Sequence, residues 1–110
     1  MNIASIHATL TKSNFSAYAT SKAGLIGLTN SLAVELGLRV RVNAICPAAI
    51  QTPMLNKGFV HGADDVKKLK DFHPTGSIGN VDDVVSAVLF LSDNKNLFVN
   101  GTVMNLDGGI

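Results

Sequence analysis

At 110 residues, 46% hydrophobic and 15% charged, the chain has the size and composition of one compact globular domain, which excludes the disordered and fibrous classes. A formal net charge of +1, with nine Lys and Arg scattered along the chain, leaves no electrostatic footprint for nucleic acid or an anionic membrane. The single cysteine, Cys46, can form no intramolecular disulfide and has no second thiol for a zinc-type pair, so a reducing, cytoplasmic setting fits best.

The opening MNIASIHATL lacks the basic leader and long apolar core of a signal peptide, and Ser86 interrupts the longest greasy run, Val84 to Leu91. No membrane span, internal repeat or domain boundary is expected. Met1 to Ser5 is a short, mostly apolar run that reads as a buried strand. From Ser16 the apolar residues Ala17, Leu25, Leu28, Leu32, Val34 and Leu36, with good helix formers between them, predict a helix of about twenty residues with Gly37 as its C-cap. Arg39 to Ala44 alternates in RVRVNA and runs into Ile45 and Cys46, a buried strand that Pro47 should stop.

Pro47 to Gly79 carries three prolines, four glycines and weak periodicity, and is expected to be a long, partly mobile excursion with one polar helix at Asp64 to Phe72. The mixed signs of Asp64, Asp65, Lys67, Lys68, Lys70 and Asp71 suit a solvated helix face. Asn80 or Val81 opens a further helix, with Asp82 and Asp83 at the positive end of its dipole and Val84, Val85, Val88, Leu89 and Leu91 as its buried stripe, ending near Ser92. Gly101 precedes a last strand, TVMNL, which Asp107, Gly108 and Gly109 break. Strands separated by helices argue for a parallel sheet in the α/β class. Such a sheet needs apolar cover on both faces, and its outer strands leave unpaired amides and carbonyls, so a three-stranded version should look incomplete.

Tyr18 and Lys22, four residues apart in YATSK, share a helix face one turn apart. A phenol is a poor acid or base at neutral pH, but a neighbouring ammonium favours its ionised form and makes it a usable proton donor and acceptor. Ser5 stands thirteen residues earlier, at the C-terminal end of the first strand, where ligands of open α/β sheets bind; its hydroxyl could stabilise charge on the same substrate oxygen. On spacing alone, a solvated Tyr/Lys helix face outweighs this catalytic reading.

NIAS, YATSK, RVNAICPAAIQTPM and the closing GTVMNLDGG, in that order and spacing, resemble the successive signatures of the short-chain dehydrogenase/reductase family over nearly the whole chain. The resemblance implies a partial Rossmann-like parallel sheet, the last three strands of the family domain with their helices. It implies hydride transfer between NAD or NADP and an alcohol or ketone. Tyr18 would be the general acid or base, Ser5 would orient the substrate oxygen, and Lys22 would lower the tyrosine pKa and hold the nicotinamide ribose. Ile50 backbone and Thr52 side chain would meet the nicotinamide carboxamide, with Pro47 shaping the turn. Ala48 stands where the family has glycine, and Ser77 stands where its PLGR-type segment has arginine. Met54 to Phe72 falls in the variable substrate loop, so neither the substrate nor the choice between NAD and NADP can be read.

The family's fourth catalytic residue, an asparagine on a preceding helix, would lie upstream of Met1. The glycine-rich turn that holds the dinucleotide pyrophosphate has no counterpart: Gly76 and Gly79, or Gly108 and Gly109, are not GxGxxG and do not link a strand to a helix. The expectation is therefore that residues 1–110 are the C-terminal half of the family domain and, alone, bind no cofactor and are inactive. The alternative is a non-enzymatic, self-associating α/β remnant. Under either reading the chain is expected to form homo-oligomers, through Ala17, Leu25, Leu28 and Leu32 or through Val84, Val88 and the last strand. His7, His61 and His73 have no metal-ligand spacing and are read as loop residues, Cys46 as core, and no GxSxG elbow suggests a hydrolase.

Overall fold

The computed structural model describes residues 1–58 and 62–110. In chain order the elements are β1 (Asn2–Ile3), a 3-10 turn (Ile6–Ala8), α1 (Ser16–Glu35), β2 (Ala44–Pro47), α2 (Pro53–Gly58), α3 (Ala63–Phe72), α4 (Val81–Ser92) and β3 (Val103–Leu106). The strands form one parallel sheet in the order β1-β2-β3, with Asn2 opposite Ala44 and Ile45 opposite Met104. This is the α/β architecture that the alternation of elements implied.

β2 is central, and Ala44, Ile45 and Cys46 are each at most 1% exposed. Successive strand residues face opposite sides. Ile45 packs with Ala87 and Leu91 of α4, and Val84, Val88, Val99, Met104 and Leu106 complete that core. Ala44 and Cys46 therefore turn to the other side, where the Lys22 ammonium of α1 acts on the Cys46 thiol. The expected stripe on α4 is rotated: Ala87 replaces Val85 and Leu89, both of which are exposed. Residues 84, 87, 88 and 91 follow the three-and-four spacing of one helix face, which positions 85 and 89 leave. Asn80 caps α4 in a reciprocal box with Asp83, each side chain accepting from the other's backbone N–H at 3.0 and 2.8 Å.

On α1 the residues buried outright are Thr29 and Ala33, with Lys22, Leu25, Ile26, Leu32 and Leu36 half-buried. Ala17 and Leu28 are exposed, and Val34 is 86% exposed, so the helix is apolar on its outer side as well. It ends at Glu35 with Leu36 as C-cap, and Gly37 is not in the left-handed region. A Cβ at Gly37 would sit 2.8 Å from Ala33 O and 3.3 Å from Asn100 Nδ2, so its glycine serves close approach rather than the expected cap.

β2 starts five residues later than RVRVNA suggested, at Ala44. Arg41 donates to the carbonyls of Leu91, Val99 and Asp93, Val42 N–H donates to Asn100 Oδ1, and Asn43 both donates to Val99 O and accepts from Thr102 N–H. On that side these side-chain bonds join the backbone bonds that remain, Gly101 N–H to Val42 O and Asn2 N–H to Asn43 O, both at 2.9 Å. Pro47 does not stop the strand but ends it inside, opposite Leu106, while Ala48 N–H continues the pairing to Leu106 O at 2.9 Å. In the excursion, the helix expected at 64–72 is α3, and α2 was not anticipated. Thr52 Oγ1 accepts from Leu55 N–H, and Pro53 occupies the first helical position, a start signal that the weak periodicity obscured. No helix among the described residues is long and apolar enough to cross a membrane.

Candidate active site

Ser5 continues the edge of β1, whose pairing reaches Ala4 N–H to Ile45 O at 2.8 Å, and then caps the 3-10 turn. Its Oγ accepts from His7 N–H at 3.2 Å, which leaves the hydroxyl proton free to be donated. Ser5 is 6% exposed, a preorganised donor at the C-terminal end of the edge strand.

Tyr18 lies in the first turn of α1. Lys22 Nζ sits 5.7 Å from the Tyr18 ring centroid and donates to Ile3 O at 2.9 Å, so the carbonyl of β1 fixes the amine beside the phenol. An ammonium has three donors, and two remain for a ligand. Tyr18 and Lys22 are thus brought onto one face, and Ser5 is tied to them through His7. The His7 ring packs edgewise on Phe15 at 4.8 Å and Tyr18 at 6.1 Å, and Phe15 and Tyr18 are 5.6 Å apart. The Tyr18 side of this aromatic trio is open, the residue being 45% exposed.

His7 is consequently not a loop residue. It sits in the 3-10 turn with Nδ1 donating to Leu10 O at 2.7 Å, a packed part of the site that no spacing rule marked. His73 does lie outside the helices, in the bend that follows α3, but it is buried there at 4% exposed, with Nδ1 donating to Leu69 O at 2.6 Å. The reading of His61 lies outside the described residues. Among the described residues no three His, Cys, Asp or Glu gather as a metal site. Cys46 is buried core, as expected. Burial pushes its thiol up, opposed by a backbone hydrogen bond at Ser5 and by the Lys22 charge.

Past β2, Ile50 forms a parallel bridge with Gly79 through Gly79 N–H to Ala49 O at 3.0 Å and Gln51 N–H to Gly79 O at 2.8 Å. The bridge uses its neighbours' groups, so Ile50's own N–H and C=O take no part in it. Thr52 Oγ1 accepts from Leu55 N–H and keeps its proton to donate. A carboxamide needs one donor and one acceptor, which these groups can supply. The terminal turn is built by close approach: Gly108 has φ +62°, and a Cβ there would lie 2.6 Å from Thr75 Oγ1. Among the described residues no glycine-rich turn joins a strand to a helix, so the fit to a dinucleotide covers its nicotinamide end alone.

A parallel α/β sheet with a Ser, Tyr and Lys set at the C-terminal end of its edge strand has the form of a Rossmann-type oxidoreductase site. A family model described as enoyl-(acyl carrier protein) reductase matches residues 1–110. The chain belongs to the short-chain dehydrogenase/reductase family. It is 42% identical over 95 residues to an uncharacterized oxidoreductase of Schizosaccharomyces pombe, covering 86% of this chain and 37% of that protein. It is 39% identical over 94 residues to a 3-oxoacyl-[acyl-carrier-protein] reductase of Thermotoga maritima, covering 84% and 37%. Among solved structures it superposes on the ligand-free aldohexose dehydrogenase of Thermoplasma acidophilum with a TM-score of 0.90 at 36% identity, covering 98% of this chain and 46% of that one. A 4-hydroxyisoleucine dehydrogenase complexed with NADH gives a TM-score of 0.90 at 32% identity, covering 98% and 44%. The chain thus spans less than half the length of these relatives.

Proposed function

We propose that residues 1–110 are the C-terminal, substrate-side half of a short-chain dehydrogenase/reductase domain, whose activity is hydride transfer between NAD or NADP and an alcohol or ketone. The observation that carries this reading is the Lys22 ammonium, pinned by Ile3 O at 2.9 Å and 5.7 Å from the ring of Tyr18. Bound nicotinamide supplies the hydride donor or acceptor. Tyr18 moves the proton at the substrate oxygen, the Ser5 hydroxyl donates to that oxygen, and Lys22 holds the ribose with its two remaining N–H groups. Ile50 N–H and C=O and the Thr52 hydroxyl orient the carboxamide, with Pro47 setting the turn.

Held only at its nicotinamide end, a dinucleotide lacks the pyrophosphate and adenosine contacts that secure it, so the isolated chain is proposed neither to retain the cofactor nor to turn over. The exposed apolar residues of α1 and α4 support self-association, which is also what the non-enzymatic alternative requires. The lone, buried Cys46 supports a reducing, cytoplasmic setting. The decisive experiment grafts residues 1–110 in place of the matching segment of the Thermotoga maritima reductase. The expected chimaera oxidises NADH or NADPH with a ketone substrate, and Tyr18→Phe abolishes it. A folded chimaera that turns nothing over, or one indifferent to Tyr18→Phe, sinks the oxidoreductase reading. Turnover by the isolated chain sinks the inactivity claim.

A further inference from the structure

α1 is tied to the sheet layer by three polar bonds from one stripe of its surface. Lys22 Nζ donates to Ile3 O at 2.9 Å, Asn2 Nδ2 donates to Thr29 Oγ1 at 2.9 Å, and Asn100 Nδ2 donates to Ala33 O at 2.9 Å. Positions 22, 29 and 33 are separated by close to two and three whole helical turns, so they point the same way. Lys22 and Thr29 bind consecutive residues of the two-residue strand β1.

Thr29 is 0% exposed, and its hydroxyl is fully used, accepting from Asn2 and donating to Leu25 O at 2.8 Å. Packing alone does not ask for that hydroxyl. Valine has nearly the same shape, and a buried apolar contact tolerates a helix sliding along its axis in a way that a hydrogen bond does not. A slide by one residue is about 1.5 Å. That would move the root of the Lys22 side chain by the same distance along Ile3 O, so that Nζ could keep its bond only by giving up its present rotamer.

We infer that Asn2 and Thr29 are positioning residues: their buried hydrogen bond sets the axial register of α1 on β1 and thereby delivers the Lys22 amine to Ile3 O beside Tyr18. The catalytic meaning of that register rests on the proposed function, but the register itself can be read without turnover. The test is the rate of Lys22 acetylation by an activated ester in the folded 110-residue chain, followed by peptide mass spectrometry. The exposed Lys67 and Lys95 serve as internal references.

Thr29→Val is expected to raise the Lys22 rate about fivefold, the equilibrium factor of one net hydrogen bond, with Lys67 and Lys95 unchanged. Thr29→Ser, which restores the hydroxyl, is expected to restore the wild-type rate. Asn2→Ala removes the donor from the other side and should reproduce the valine effect, so it decides the matter if Thr29→Val does not fold. Val88→Ala loosens the chain from the α4 side and should leave the Lys22 rate ratio unchanged. An unchanged Lys22 rate in folded Asn2→Ala, or an equal rise in Val88→Ala, overturns the inference. Failure of the chimaera to turn over leaves these rates unaffected and bears on the oxidoreductase reading alone.

Discussion

On the α4 side of the sheet, Ile45, Ala87 and Leu91 close an apolar core, whereas on the α1 side the helix is tied by Lys22, Thr29 and the Asn100–Ala33 bond. Apolar burial is non-directional and sets how tightly layers adhere; hydrogen bonds are directional and set where they lie along one another. The helix that carries Tyr18 and Lys22 is the one located by bonds. The helix that carries no candidate site residue is held mainly by apolar surface, with Arg41 donating to the carbonyls of Leu91 and Asp93 only at its C-terminal end.

Replacing Leu91, 1% exposed at the centre of the α4 core, strikes adhesion most directly. Leu91→Ala is expected to cost about 2–5 kcal/mol of unfolding free energy, read from urea denaturation at fixed chain concentration. A loss below about 1 kcal/mol would mean that the core carries less than its burial implies. Leu28→Lys acts on the outer side of α1, where Leu28 is 49% exposed. It should change unfolding free energy by no more than about 0.5 kcal/mol at high dilution, yet lower the apparent mass in sedimentation equilibrium if that face joins two copies. Val84 and Val88 pack into the core rather than facing outward, so unchanged mass would move the association to the exposed Val85 and Leu89 of α4 and to β3.

The smallest expected effect comes from Cys46, on the α1 side of β2. Its folded thiol is held above its ordinary value by burial, so the stability it contributes is fully present below the unfolded pKa and is lost as pH rises toward the folded one. Melting temperature should therefore begin to fall from about pH 8.5 upward. Cys46→Ala should flatten that part of the profile, and an unaltered slope in the variant would assign the alkaline loss to other groups.

Local pattern revealed what local physics decides. The twenty-residue α1, the extent and first-turn carboxylates of α4, the β2 apolar run and the Tyr18–Lys22 pairing all follow from periodicity and spacing, whereas the α4 stripe came out rotated by the burial of Ala87. Contacts that cross the chain were hidden. The late start of β2 depends on bonds from Arg41, Val42 and Asn43 to residues fifty or more positions away, and RVRVNA gives no sign of them. His73 looked like a loop residue because its burial comes from the terminal turn, where Gly108 closes on Thr75. Nothing in the sequence around Thr29 marks it, and although Asn2 stands in the NIAS motif, its partner lies twenty-seven residues away on α1. The start of α2, by contrast, was present in Thr52-Pro53 and was outvoted by the surrounding prolines and glycines.

The Ile50–Gly79 bridge joins the two ends of the segment that holds α2 and α3. That segment is a loop whose ends are already fastened at the mouth of the sheet, so the chain entropy of closing it is confined there. Closure entropy grows only with the logarithm of loop length, by about 0.6 kcal/mol for each doubling. Residues between Pro53 and Phe72 can therefore be inserted, deleted or exchanged at little cost to the sheet, provided Ala49 O and Gly79 N–H still meet and His73 and Thr75 keep their places against the terminal turn. The part of the molecule that would choose a substrate is thus the part in which sequence drift is cheapest, while the strands and the Lys22 anchor beside it stay in place.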